Sequence, residues 1–401
     1  MSMIAPLPVR RRSMAFLLVY ALAHAGGVIA YQPLLTLMLP LKVEQLAGTG
    51  RIGLFSATII VGAVAASAAN LFFGWLSDLA MARGVGRRRW VGGGAIGTAA
   101  AFVGIIVANS PAGIIAAVAL FQVAVNAMLA PLLAIMADEV PDAQKGVAGG
   151  LLAAAVPIAA AVSALLVGLT WAGEAGRLGI VALLVAGFIA PLLATPMRPA
   201  AHYAAAASDV QVARRDLVIA WTARLLVQVA GNALSLYLLY YFESIVPNVA
   251  AAILAPRVGH LLTFAYVLSL PLALGAGRLS DRWGQRKPVL LAGAITAAAG
   301  LLGMALAPDW RWAASGFILY ATGSAVFLSL HAAFAMQLLP HPSHRGRDLG
   351  VLNLTNTLPA LLGPLLAWSL ATPSDFDAVL LILATLTLVG GAAMMGVRSR
   401  R

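Results

Sequence analysis

The sequence predicts an all-α, polytopic membrane protein whose twelve transmembrane helices form two pseudo-symmetric six-helix bundles. Three observations lead to this prediction: an apolar composition, regularly spaced apolar segments, and charged motifs that recur half a chain apart. Of the 401 residues, 61% are hydrophobic and 10% are charged, and the mean hydropathy is +0.93. A water-soluble domain needs more charge to cover its surface, so the outer surface of this protein must face lipid.

The apolar segments have the length that a bilayer requires. A spanning helix needs about 20 mostly apolar residues, and twelve segments meet that condition. Their approximate extents are 14–39, 53–76, 90–109, 112–136, 147–171, 176–196, 217–242, 256–278, 288–307, 313–339, 349–371 and 377–396.

The distribution of basic residues predicts the orientation. With the N-terminus placed in the cytoplasm, the inner segments hold 20 Lys and Arg residues, the outer segments hold five, and Arg224 lies within a span. Cytoplasmic loops are enriched in Lys and Arg, so both termini are expected in the cytoplasm. The net charge of +12 is spread between spans rather than along one face, which argues against nucleic-acid binding.

Two charged motifs recur at nearly the same offset. GWLSD around Asp78 returns as GRLSD around Asp281, 203 positions later, and PDAQKG around Lys145 returns as PHPSHRG around Arg345, 200 positions later. Such spacing predicts a duplicated unit of six helices. The predicted units are an N-terminal bundle (1–196), a cytoplasmic linker (197–215) and a C-terminal bundle (216–401).

The residues of the motifs have a physical interpretation. Gly74 and Gly277 would let a neighbouring helix approach closely. Asp78 and Asp281 would accept hydrogen bonds from a helix N-terminus or pair with an arginine of the turn. A solvated basic turn is the alternative, and the repetition of the motif favours a functional pairing.

Both stretches resemble the loop motif of the major facilitator superfamily, G-x-L-[SA]-D-[RK]-x-G-R-[RK]-[RK]. The second copy, GRLSDRWGQRK, follows it closely, whereas the first inserts LAMARGV after Asp78. The resemblance implies a twelve-helix carrier whose halves rock about a central site. It also implies a cytoplasmic gate, formed by Gly74, Asp78, Arg87, Arg88, Asp138, Gly277, Asp281, Arg282, Gly284, Arg286 and Arg345.

Shorter pieces are similar to the branch of that superfamily that contains sucrose carriers and glycoside, pentoside and hexuronide permeases. These pieces are the longer first motif ending in GRRR89, the run from Asn126 to Pro131 followed by Ala137-Asp138, and GVLNL at 350–354. This resemblance implies a sugar or glycoside as the transported solute.

Several other classes of function lack their motifs. The sequence contains no GxxxxGK[ST] phosphate loop and no HExxH, and it has no cysteine. Gly92-Gly-Gly-Ala-Ile-Gly97 satisfies GxGxxG but lies in an apolar span without a preceding strand, so helix packing explains it better. We therefore expect no cofactor, no metal and no enzyme activity, and transport driven by a gradient.

Polar side chains within spans are costly and usually face a cavity or another helix. They are concentrated on spans one, four, seven, ten and eleven, and four of these five spans line the cavity in the resembled superfamily. The candidate substrate-binding residues are Tyr31, Gln32, Gln122, Asn126, Arg224, Gln228, Asn232, Tyr237, His331, Asn353 and Asn356. Arg224 could instead reach the interface or pair with Asp216 or Asp348.

The sequence does not identify the coupling ion directly. All fourteen carboxylates are expected in turns or at helix ends, so His24 and His331 are the candidates for a proton carrier. Packing roles for both histidines, and exchange without coupling, remain open.

The leading hypothesis is a monomeric carrier of a small polar solute, whose other partners are the bilayer and, if transport is coupled, a proton. An exporter of amphiphiles is the alternative within transport, and a membrane scaffold or signalling protein is the alternative outside it. The three lysines among 26 basic residues favour a G+C-rich genome and hence a bacterial inner membrane.

Overall fold

The computed structural model describes residues 11–169, 171–197, 214–246, 249–337, 355 and 358–398. Fourteen α-helices account for most of these residues. The first eight are α1 (Met14–Pro33), α2 (Leu39–Ala47), α3 (Arg51–Ala82), α4 (Arg88–Val107), α5 (Pro111–Glu139), α6 (Asp142–Leu152), α7 (Ala155–Gly168) and α8 (Glu174–Leu193). The other six are α9 (Arg214–Ile245), α10 (Ala251–Trp283), α11 (Arg286–Ala305), α12 (Trp310–Gln337), α13 (Pro359–Leu370) and α14 (Asp377–Met395).

The predicted all-α membrane fold is confirmed. Within the described residues, ten helical stretches are long and apolar enough to cross a bilayer. The first of these, Met14–Ala82, contains two crossings, and the shorter α13 lies in the predicted eleventh span. Over the described part of the chain, the only pairing of β type is an isolated bridge between Thr372 and Asp375.

The first charged motif lies within a helix rather than in a turn. The second predicted span ends at 76, but α3 continues to Ala82 and therefore contains Asp78. The helix ends before Gly84, whose φ of 75° is a conformation that favours glycine. In the second copy, α10 ends at Trp283 and is followed by Gly284 with a φ of 63°.

Two predicted spans are interrupted, the first near its end and the fifth near its start. The first contains a π-helical segment, Leu34–Met38, directly after Pro33. The fifth is divided between α6 and α7 by a turn at Ala153 and Ala154. Proline and paired glycines weaken the helical hydrogen-bond ladder, and the paired glycines (149 and 150) and Pro157 flank the second break.

The contacts between helices follow the predicted duplication. In the N-terminal half, α4 packs on α5 and α8, α3 packs on α5, and α1 packs on α8. The same pairs recur in the C-terminal half as α11 on α12 and α14, α10 on α12, and α9 on α14. The main contacts between halves are α3 with α13 and α7 with α10.

Close helix packing depends on glycines other than those of the motifs. A Cβ atom on Gly300 would lie 2.3 Å from the backbone nitrogen of Tyr320, which joins α11 to α12. A Cβ atom on Gly94 would lie 2.4 Å from the backbone nitrogen of Met128. By contrast, a Cβ atom on Gly74 or Gly277 would meet nothing within 4 Å, so the expectation of close approach at those two glycines is wrong for this conformation.

We expect Gly300→Ala to destabilise the C-terminal half by about 1–3 kcal/mol, the usual effect of overpacking, because backbone atoms cannot move aside as a flexible side chain can. Gly303→Ala, in the same helix, is the matched control, since its Cβ atom would have Gly316 Cα at 3.9 Å as its nearest neighbour. Thermal unfolding in detergent would measure both variants. Equal melting temperatures would contradict the packing interpretation.

Candidate functional site

The helices connect two faces of the molecule. Helices α1, α4 and α11 begin, and α3, α5 and α14 end, at the side that we call the terminal face. The connection between α2 and α3 and the one between α9 and α10 lie at the opposite face. A central cavity of about 620 Å³ lies between the halves, lined by α1, the π segment, α7, α9, α10 and α12, by Ala153 and by Pro359.

The cavity wall is uncharged and combines apolar side chains with amide and hydroxyl groups. Of the predicted substrate-binding residues, the structure places Tyr31, Gln32, Gln228 and Asn232 in the wall. It adds hydroxyl residues that the sequence did not single out, which are Thr36, Ser235, Tyr266, Ser269, Tyr320, Ser324 and Ser329. None of the lining side chains that the structure describes carries a charge.

Several hydroxyl residues were missed because their sequence context resembles ordinary helix packing. Ser269, for example, donates a hydrogen bond to the Ala265 carbonyl one turn earlier, at 2.7 Å, as many serines in apolar helices do. Tyr320 has space because Gly231 faces it: a Cβ atom on that glycine would lie 3.1 Å from the Tyr320 hydroxyl. Only the packing of α9, α10 and α12 on one another brings these groups to one surface.

Asn232 presents an unpaired acceptor at the cavity wall. Its Oδ1 atom is buried and has no hydrogen-bond partner among the described residues. A buried polar atom without a partner costs about 1–3 kcal/mol, and a hydroxyl or amide donor of a bound solute would remove that cost. The amide of Gln228 lies one helical turn away on α9 and lines the same cavity.

The helix interruptions lie in the N-terminal wall of the cavity. Gln32 donates through Nε2 to the Val156 carbonyl at 3.4 Å, linking α1 to the start of α7. Thr36 donates to the Gln32 carbonyl at 2.8 Å. Irregular backbone at membrane depth is tolerated where it lines a cavity, so the π segment and the α6–α7 break are consistent with a solvent-filled site.

Two predicted amides lie outside the cavity wall. Asn70 donates to Oδ1 of Asn126 at 3.2 Å, and Asn126 donates to the Gln122 carbonyl at 2.9 Å. The first of these bonds joins α3 to α5 within the N-terminal half, and the second lies within α5. The structure therefore places the Asn126 amide in interhelical packing, and the Gln122 side chain lies beside Gly62 of α3.

Arg224 and His331 also lie outside the wall. Arg224 Nε donates to the Thr355 hydroxyl at 3.2 Å, whereas Asp216 accepts a hydrogen bond from the Arg398 backbone at 3.0 Å. His331 is fully buried, with Nε2 2.8 Å from the Ala220 carbonyl and its ring stacked on Phe327. These contacts hold α9 to α12 and to the segment around residue 355.

His24, the other predicted proton carrier, is partly buried in α1 and does not line the cavity. Its Nδ1 atom is buried and has no hydrogen-bond partner among the described residues.

Above the cavity, the opposite face is closed by contacts between the halves. Tyr237, a predicted binding residue, is 2.6 Å from the Ser56 hydroxyl and packs edge-on against Phe55. Tyr240 donates to the Pro40 carbonyl at 3.0 Å. The side chains of these residues form a layer between α3 and α9 at the opposite face.

An ion pair completes this layer. Arg51 Nη1 lies 2.6 Å from Glu243 of the other half and 3.2 Å from Glu44 of its own half. Its guanidinium also lies 5.2 Å from the centre of the Tyr240 ring. Arg51 and Glu243 belong to neither of the two repeated motifs. No sequence pattern therefore marks this contact.

At the terminal face, the predicted gate residues of the N-terminal half form a network within that half. Arg87 pairs with Asp78 at 2.6 Å and with Asp138 at 2.5 Å, and it donates to the Ser77 hydroxyl at 2.7 Å. Burial lowers the pKa of Arg87, but the hydrogen bonds and charges of Asp138 and Asp78 outweigh it and raise the pKa above its usual value. The guanidinium thus fastens the ends of α3 and α5 together.

A second network lies beside the first. Arg88 contacts both carboxylate oxygens of Glu139, at 2.5 and 3.0 Å, and donates to Thr195. Arg12 also pairs with Glu139. These pairs tie the start of α4 and the residues before α1 to the end of α5, so they stabilise one bundle rather than bridge two.

The gate residues of the C-terminal half are less completely described. Arg282 is exposed in the last turn of α10, and Arg286 begins α11. The side chain of Asp281 and all of Arg345, Asn353 and Asn356 lie outside the described residues.

Comparisons with known proteins agree with this architecture. A sequence profile of the Major Facilitator Superfamily matches residues 232–401, and no curated protein sequence matches the chain. Among solved structures, the nucleoside transporter NupG has a TM-score of 0.67 at 15% identity, over 97% of this chain and 100% of that one. A D-xylose-proton symporter has a TM-score of 0.68 at 14% identity, over 95% of this chain and 97% of that one.

A third solved structure is a bacterial homologue of the human lysosomal transporter Spinster, with a TM-score of 0.66 at 14% identity, over 96% of this chain and 94% of that one. At such identities the likeness shows the fold. Together with the apolar helices, it defines a multi-pass integral membrane protein. The whole chain has the fold of these three solved transporters, and its C-terminal half matches the profile of the Major Facilitator Superfamily.

The Arg87 network predicts unequal effects of two substitutions on stability. Arg87→Ala leaves Asp138 and the buried Ser77 hydroxyl without their partner, and we expect a loss of about 1–3 kcal/mol. Asp78→Asn should cost less than about 1 kcal/mol, because the Asp78 side chain is 66% exposed. Thermal unfolding of both purified variants would test this order, and a larger loss for Asp78→Asn would contradict it.

Proposed function

We propose that the protein carries a small, neutral, hydroxylated solute, a sugar or a glycoside, across the membrane by alternating access. The observation that supports this proposal is the uncharged cavity between the halves, whose wall combines amides, hydroxyls and aromatic rings. Amides and hydroxyls suit the hydroxyl groups of a sugar, and apolar ring faces suit its carbon skeleton. The cavity volume of about 620 Å³ lies within the usual range of small-molecule sites.

The lining also supports a neutral rather than an ionic solute. A charged solute needs an opposite charge or many aligned dipoles when it leaves water. The described cavity wall offers neither Lys, Arg, Asp nor Glu. Arg224 remains a candidate contact for a different conformation, since it lies one helical turn from Gln228 on α9.

The structure supports an assignment to one state of the transport cycle. The halves meet at the opposite face through the Tyr237 layer and Arg51, whereas the ion pairs of Arg87 and Arg88 at the terminal face stay within one half. The cavity-lining residues Val156 and Ser329 are exposed. The distribution of basic residues places the terminal face in the cytoplasm, so we infer an inward-facing state in a bacterial inner membrane with both termini inside.

The energy source is proposed to be an ion gradient. The chain carries no phosphate loop for ATP, and one similar structure is that of a proton symporter. His24 and His331 stay the proton-carrier candidates. Both lie outside the cavity wall. Protonation of either histidine would therefore affect solute binding by shifting its helix, without direct contact with the solute.

Uptake into proteoliposomes would test the proposal directly. We expect accumulation of a labelled pentose, hexose or glycoside, greater with a pH gradient than without one. Nucleosides belong in the same panel because the NupG structure shares the fold, and amphiphilic dyes test the exporter alternative. Transport of dyes without any sugar, or of a charged solute alone, would contradict the proposal.

Substitutions in the cavity wall would locate the site. Asn232→Leu and Gln228→Leu should each weaken solute affinity up to about tenfold, because each removes a hydrogen bond worth about 0.5–1.5 kcal/mol. Gln122→Leu is the comparison, since Gln122 lies outside the described wall. Equilibrium binding would measure all three, and a loss confined to Gln122→Leu would place the site elsewhere.

The Arg51 ion pair should bias the conformational equilibrium. Arg51→Ala removes the contact with Glu243 that forms only when the opposite face is closed, so we expect the outward-open population to rise roughly ten- to a hundredfold. Lys42→Ala is the matched control, because Lys42 pairs with Glu174 within one half, at 2.8 Å. The chain lacks cysteine, so spin labels can be attached at Thr49→Cys and Ala250→Cys alone. The distance between the two labels would report how far the halves separate at the opposite face.

An unchanged distance distribution in Arg51→Ala, or an equal shift in Lys42→Ala, would show that Arg51 does not bias this equilibrium.

A further inference from the structure

A second cavity lies on the outer surface of the N-terminal bundle, away from the transport site. It has a volume of about 460 Å³ and lies between the end of α3 and the start of α4 at the terminal face. Its walls include Leu76, Leu79 and Trp90, its rim carries Arg83 and Arg89, and Gly93 contributes to its surface. We call this cavity the α3–α4 groove.

The groove adjoins a surface that must contact lipid. On α3, the side chains of Leu71, Phe72 and Trp75 are 77%, 53% and 60% exposed. Apolar side chains this exposed on a spanning helix are expected to face acyl chains. The Trp90 ring lies 5.9 Å from the Phe73 ring, and tryptophans concentrate at the membrane–water interface. The groove therefore lies where acyl chains meet headgroups.

The rim of the groove carries positive charge that the protein does not neutralise. Arg83 and Arg89 are exposed and have no ion-pair partner among the described residues. The carboxylates of this helix end, Asp78 and Asp138, are both bound by Arg87. The first motif has seven residues between Asp78 and Gly86, where the second has two between Asp281 and Gly284, and the seven include Arg83.

We propose that the α3–α4 groove binds an anionic phospholipid of the leaflet at the terminal face. Its phosphate lies between Arg83 and Arg89, and an acyl chain follows Leu76, Leu79 and Trp90. Gly93 keeps the groove open, because a Cβ atom built there meets nothing within 4 Å. The positive rim complements the phosphate, and the apolar floor favours a lipid over a soluble anion. This site does not depend on which solute the central cavity binds.

Two variants remove the site by different means. Arg83→Gln with Arg89→Gln removes the charges, and we expect phosphatidylglycerol affinity to fall at least tenfold, since each basic residue near a membrane surface contributes about 1 kcal/mol. Gly93→Leu fills the groove without a clash and with a better helix former, so it should lower affinity while the protein stays folded.

Matched controls exist for both variants. Arg278→Gln with Arg398→Gln removes two exposed charges at the same face but outside the groove. Gly187→Leu adds a side chain at another exposed glycine of a spanning helix, where a Cβ atom again meets nothing within 4 Å. Both controls should keep the affinity of the unmodified chain.

Native mass spectrometry and thermal unfolding of the full chain in detergent would measure binding of phosphatidylglycerol, phosphatidylcholine and free glycerol phosphate. The proposal predicts that the unmodified protein retains phosphatidylglycerol and is stabilised by it. Both groove variants should lose this binding, and neither control should lose it. Equal binding of phosphatidylcholine, equal stabilisation by glycerol phosphate, unchanged affinity in the groove variants, or an equal loss in the charge control would each overturn it.

Discussion

The absence of water inside the bilayer is the constraint on which the whole structure depends. Backbone groups must pair within each helix, so the spans are helical, and polar side chains in them must find partners or surround a cavity. Asn126 has found a partner, since it accepts a hydrogen bond from Asn70. Asn232 instead lines the central cavity, and its Oδ1 atom has no partner among the described residues. The same rule thus separates packing amides from cavity-lining amides.

Small residues and helix breaks set the shape of that cavity. Gly300 and Gly94 let backbones touch within each half, which leaves the halves as compact bodies. Pro33 precedes the π segment, and the turn at Ala153 divides the fifth span. These interruptions lie in the N-terminal wall, whereas most hydroxyl groups lie in the C-terminal wall. The two halves therefore enclose an asymmetric cavity.

Charge has different roles at the two faces. At the terminal face, Arg87 joins helix ends of one bundle, and Arg83 and Arg89 remain available to lipid. At the opposite face, Arg51 is shared between Glu44 of its own half and Glu243 of the other. Of the ion pairs among the described residues, only Arg51–Glu243 joins the two halves. The first copy of the motif thus stabilises the N-terminal bundle in this state.

The sequence by itself determined the membrane class and the all-α fold, because hydrophobic length is a local property. It also singled out Tyr31, Gln32, Gln228 and Asn232 of the cavity wall, since a polar residue in an apolar span is visible without a structure. Tertiary structure decided which polar groups share a surface: it separated Gln122 from the cavity, brought Tyr320 beside Gly231, and paired Arg51 with Glu243. Those contacts join residues up to 192 positions apart, and their geometry depends on how whole helices pack, which no local pattern records.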